Sequence, residues 1–64
     1  MPRLYYIDAA QNQLPITEGV LRVEYKRLKG FDAPRDARAI DLVAELNKAI
    51  VNSGGAGEYV CVGR

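Results

Sequence analysis

The stretch "PRLYYIDAAQNQLPITEGVLRVEYKRLKG", residues 2–30, decides the fold of this 64-residue chain. In its second half Leu21, Val23 and Tyr25 alternate with charged residues, which is typical of a strand with one face in water. Its first half contains LYYI at residues 4–7, an apolar run without a polar break, as in a strand covered on both faces. The stretch therefore predicts two strands and raises the question of what covers the second face of their sheet.

A first strand is predicted over residues 3–8, closed by Asp8, and the segment AAQNQ then forms a tight turn in which Asn12 adopts a positive φ. In the second strand the apolar positions change parity, because Leu14 and Ile16 are even-numbered and the later apolar residues are odd-numbered. A bulge of one residue near Gly19 would place both sets on one face.

A helix over residues 17–29 is the competing interpretation of the same segment. Thr17 would cap its start and Gly30 would end it. Its apolar face is poorly defined, however, because two different stripes would share Leu28. Alternation and β-branching therefore favour the strand.

The strongest helical pattern begins after Asp36 and ends at the glycine-rich segment NSGGAG. Apolar side chains recur there with helical spacing and polar side chains occupy the opposite stripe. The pattern predicts a helix over residues 38–51 that packs Val43, Leu46 and Ile50 against the sheet. The segment EYVCV, residues 58–62, then predicts a last short strand that is apolar on both faces.

These elements predict one α+β domain over residues 1–64 with the order β-β-α-β. The helix between strands two and three makes a right-handed crossover, so the three-stranded, mainly antiparallel sheet takes the order 2-1-3. The most apolar strand lies at its centre, and one helix packs on one face. A single helix leaves the other face uncovered.

Composition narrows the chemistry that this chain can support. The net charge is +1, there is no histidine, and Cys61 is the one cysteine, which we expect to act as a small apolar side chain. We therefore predict no catalytic residues, no metal site and no cofactor. No apolar run approaches the roughly 20 residues of a membrane span, and a free cysteine fits a reducing compartment. The predicted location is the cytoplasm.

Pro2 is the one residue that suggests an enzyme. Small tautomerases use an N-terminal proline as a base, and this chain is similar to them in length, in the initial proline and in the strand that follows. That family has a long helix directly after its first strand, whereas this sequence predicts a second strand there. A tautomerase-like enzyme is therefore the third hypothesis.

A basic and aromatic cluster provides the second hypothesis, a small protein that binds nucleic acid. The cluster consists of Arg22, Lys26, Arg27 and Lys29, with Tyr5, Tyr6, Tyr25 and Phe31. Against it, Glu24 lies within the basic row and the total charge is nearly balanced. A solvated edge strand, kept from aggregating by its charges, explains the same residues.

The leading hypothesis is a non-enzymatic protein-binding module, a regulator or inhibitor of the kind that phages and mobile elements carry. Tyrosines and aliphatic residues on an uncovered sheet face are typical of protein contacts. The expected covering is another polypeptide, either a second copy in a homodimer or a target. The predicted partner-contacting residues are Tyr5, Ile7, Arg22, Tyr25, Lys26, Arg27 and Tyr59.

Overall fold

The computed structural model describes residues 3–63 as a mixed α+β fold with a three-stranded antiparallel sheet and two helices. The elements in chain order are β1 (Arg3–Ile7), β2 (Gln13–Ile16), α1 (Glu18–Lys29), α2 (Ala39–Asn52) and β3 (Glu58–Val62). The sheet order β2-β1-β3 is the predicted one, and β1 pairs antiparallel with both neighbours. The predicted element order β-β-α-β is wrong by one helix.

Helix α1 replaces the predicted second half of strand two. Thr17 caps it, since its Oγ1 accepts from the Val20 N–H at 3.4 Å. Gly30 ends it with φ 88° and donates its N–H to the Lys26 carbonyl at 2.8 Å. The strand and the bulge near Gly19 were thus wrong predictions, and the competing helix over residues 17–29 is the observed structure.

The side chains of α1 show why the alternation was misleading. Leu21 and Tyr25, which are buried, lie one helical turn apart on the face toward the core. Val23, between them in sequence, is 66% exposed. In a strand all three side chains would share one face, so the exposure of Val23 separates the two conformations.

The turn between β1 and β2 is organised by Asp8. Its Oδ1 accepts from the N–H groups of Ala10 and Asn12, both at 2.9 Å. The bond from the Asn12 backbone is the largest cause of a lowered pKa of the Asp8 carboxyl. Positive φ falls on Gln11, at 68°, and not on Asn12 as predicted. The Asn12 side chain donates its Nδ2 to Asp8 Oδ2 at 3.2 Å.

Both helices pack on the same face of the sheet. The strand residues that join the core are Leu4, Tyr6, Ile16, Tyr59 and Cys61, and the register places them side by side on one face. The predicted contacts of α2 are confirmed, because Val43 and Leu46 are buried and Ile50 packs against the core from its margin. Adding the second helix therefore extends the covered face and does not cover the other one.

Candidate functional site

The face of the sheet away from the helices forms a small array of side chains, which we call the open sheet face. Antiparallel partners that lie directly opposite share a face, so the register defines its rows. Tyr5 lies between Pro15 and Val60 in the middle row. The complete open sheet face consists of Arg3, Tyr5, Ile7, Gln13, Pro15, Glu58, Val60 and Val62.

The open sheet face is apolar at its centre and charged at its two ends. Tyr5, Ile7 and Val60 are half-buried by their neighbours, while Val62 is 51% exposed. Arg3 stands beside Val62 in the first row, and Glu58 stands beside Ile7 in the last. An apolar centre with a charged margin is a composition that is typical of protein interfaces.

Each edge of the sheet is blocked at one position. On the β3 edge the Asn47 side chain of α2 takes the place of a neighbouring strand: its Nδ2 donates to the Tyr59 carbonyl at 2.8 Å, and its Oδ1 accepts from the Tyr59 N–H at 2.7 Å. Backbone N–H and C=O groups point to alternate sides along a strand. Since those of Tyr59 point outward on the β3 edge, the backbone groups of Gln13 and Pro15 point outward on the β2 edge. Proline has no N–H to offer a further strand there.

We expect Asn47→Ala to lower the free energy of unfolding by about 1–3 kcal/mol, because it leaves the Tyr59 N–H and carbonyl without a partner in a half-buried site. Urea denaturation and hydrogen exchange of the Tyr59 amide measure the effect. The exposed Asn52 on the same helix provides the control, since Asn52→Ala should change stability by under about 0.5 kcal/mol. Equal effects of the two substitutions would contradict the role given to Asn47.

Four of the predicted partner-contacting residues divide into two pairs. Tyr5 and Ile7 lie together on the open sheet face. Tyr25 and Tyr59 are buried on the other side of the sheet, where Tyr59 packs against Tyr6 at 5.0 Å between ring centroids. Burial is the largest cause of a raised pKa of the Tyr59 hydroxyl, and the nearby Glu24 carboxylate is the second. The second pair therefore belongs to the core and cannot reach a partner without unpacking it.

Arg22, another predicted contact, is used within the chain. Its guanidinium donates to the carbonyl oxygens of Pro34, Arg35 and Ala37 at 3.0, 3.3 and 3.1 Å. It also lies 3.6 Å from Glu18, one helical turn earlier. Arg22 thus organises the connection between the two helices, and replacing it would disturb that connection as well as any partner contact.

The other cations of the basic cluster each face a carboxylate. Arg27 pairs with Glu24 at 2.6 Å, and Lys26 lies 3.8 Å from Asp32. Lys29 bonds Glu45 at 3.0 Å, which lowers the pKa of the Glu45 carboxyl. The four cations of the cluster lie on α1, away from the open sheet face, and their charge is largely compensated by these neighbours.

Several residues of the open sheet face were not predicted from the sequence. The register adds six further residues to it: Arg3, Gln13, Pro15, Glu58, Val60 and Val62. Parity separates the two faces of each strand, but only the pairing shows which face of one strand continues that of the next. The shared parity of Glu58, Val60 and Val62 is the sequence feature that places these three residues on one face.

The hypothesis that uses Pro2 concerns a residue outside the described part of the chain. Within residues 3–63, β1 leads through a turn into β2, where the tautomerase family has a long helix. The same part of the chain contains no cluster of three or more potential metal ligands. No helix in it is both long and apolar enough to cross a bilayer.

No protein-family model matches the sequence, and comparisons with curated proteins and with solved structures gave no significant match.

Proposed function

We propose that this protein is a non-enzymatic protein-binding module that acts by placing its open sheet face against a partner protein, as a regulator or inhibitor does. The observation that carries the proposal is the central row of Pro15, Tyr5 and Val60 on a face that neither helix covers. Tyrosine beside aliphatic side chains supplies a large contact area at low conformational cost.

The ion pairs on α1 support a protein partner over nucleic acid. A nucleic-acid surface presents cations that are free to meet phosphates. On α1 the cations at Lys26, Arg27 and Lys29 lie within 4 Å of carboxylates, and Arg22 is engaged with backbone carbonyls as well as with Glu18. A phosphate would have to displace these carboxylates.

A photo-crosslinking residue tests the proposal. We expect p-benzoylphenylalanine in place of Tyr5 to give a discrete protein adduct in a lysate of the native host, and nuclease treatment to leave this adduct unchanged. The same residue in place of Val23 is the matched control, because Val23 is exposed on α1, which packs on the other face. Adducts formed equally from both positions, no adduct from position 5, or an adduct lost with nuclease would contradict the proposal.

A further inference from the structure

We propose that the partner on the open sheet face is a second copy of this chain, bound face to face. The two copies are related by a twofold axis that lies between the two sheets and runs perpendicular to their strands. This inference rests on the proposed protein-binding role of the same face. It adds the identity of the partner and the arrangement of the pair, and both are argued from where Arg3 and Glu58 lie.

The two charges stand at opposite ends of the open sheet face. Arg3 belongs to the first row and Glu58 to the last, because Arg3 pairs with Val62 and Glu58 with Ile7. Rows one and three are four residues apart along the strands, which is about 14 Å. That separation is too long for the two side chains of one copy to meet, and the ion pairs within residues 3–63 include neither of them.

A second copy can bring these charges together. An axis across the strands places the first row of one copy over the last row of the other, with β1 over β1 and β3 over β3. Arg3 then lies about 5 Å to the side of the partner copy's Glu58 across a gap of about 10 Å, which the two side chains span from opposite sheets. The symmetry repeats the contact, so one pair of residues gives two ion pairs.

The alternative axis, along the strands, is disfavoured by the same charges. It would place Arg3 over Arg3 of the other copy, and like charges that face each other destabilise an interface. It would also set Glu58 over Gln13, which gives no compensating cation. In the arrangement across the strands, the central row of each copy meets the same row of the other, so Tyr5 packs on Tyr5.

The small size of the open sheet face limits the expected affinity of the dimer. Two strands of five residues and one of four cover about 230 Å² in projection. This is well below the roughly 800 Å² that each partner buries in a standard interface. We therefore expect a weak dimer, whose dissociation constant is measured over a concentration series that extends above 100 μM.

Charge reversal tests the arrangement, because both residues are exposed and the substitutions leave the core untouched. In sedimentation of the purified chain, we expect a dimer whose dissociation constant rises about tenfold in Arg3→Glu and in Glu58→Arg, since each replaces two attractive pairs by two repulsive ones. The double variant should dimerise like the parent. An equimolar mixture of the two single variants should form a heterodimer tighter than either homodimer, because both opposite-charge pairs are restored.

Failure of this inference is distinguishable from failure of the proposed function. A parent chain that stays monomeric at 100 μM and above would overturn the inference, and so would a dimer that both single variants leave unchanged. In either case a nuclease-resistant adduct from position 5 to a different protein would preserve the protein-binding role. Absence of both the dimer and the adduct would remove both proposals.

Discussion

Replacing Leu46 by Ala is expected to lower the free energy of unfolding by about 2–5 kcal/mol, the range for truncating a leucine in a core. Leu46 is 0% exposed and lies on α2 among the residues that face the sheet. A chain of this length has a total stability of roughly 3–10 kcal/mol, so the loss removes much of it. Urea denaturation followed by far-UV circular dichroism measures the change.

Ile40 provides the matched control for Leu46. It lies on the same helix and is 61% exposed, so Ile40→Ala should change the free energy of unfolding by under about 0.5 kcal/mol. All variants are compared at one protein concentration, because self-association stabilises the folded state by mass action. If Leu46→Ala retained the parental midpoint, the assigned packing of α2 would be wrong.

Gly57→Ala is expected to destabilise the fold by about 2–5 kcal/mol through two separate effects. Gly57 has φ 96°, which costs a residue with a Cβ about 1–2 kcal/mol. A Cβ there would also collide with the Tyr6 hydroxyl, and it would lie 2.9 Å from the Tyr6 ring carbon Cζ and 3.1 Å from the Ile7 carbonyl. Crowding of this kind adds about 1–3 kcal/mol.

Gly54→Ala separates the backbone effect from the collision. Gly54 has a similarly positive φ of 73°, but a Cβ there has no neighbour within 4 Å. Its substitution should therefore cost only the backbone part, about 1–2 kcal/mol. Thermal denaturation of both variants gives the comparison. Equal losses would show that Tyr6 moves aside without cost.

The sequence allowed most of the fold to be predicted, and the exception has a specific physical cause. Residues four apart satisfy both the two-residue period of a strand and the turn of a helix, so Leu21 and Tyr25 fit either structure. Only Val23 discriminates between the two structures. A single valine exposed on a helix is common, so its presence in the sequence does not argue against the helix. The end signals at Thr17 and Gly30 were more informative than the periodicity.

The candidate site was predictable in part. The unbroken apolar run at residues 4–7 correctly indicated a central strand, and Tyr5 and Ile7 lie on its open side. Sequence parity could not tell which side that would be. The error at α1 also misplaced Tyr25, which was expected on a sheet surface and lies in the core.

The treatment of the sheet edges has a consequence for how large any assembly can grow. Strands that pair edge to edge leave a new free edge, so further copies can be added and fibres can form. A twofold contact between two faces buries both of them, so no third copy can bind there. Here Pro15 removes an outward donor from one edge, and Asn47 occupies the groups of Tyr59 on the other. If the open sheet face binds a second copy as proposed, association ends at two molecules, so a chain with 48% hydrophobic residues can expose an apolar face without forming fibres.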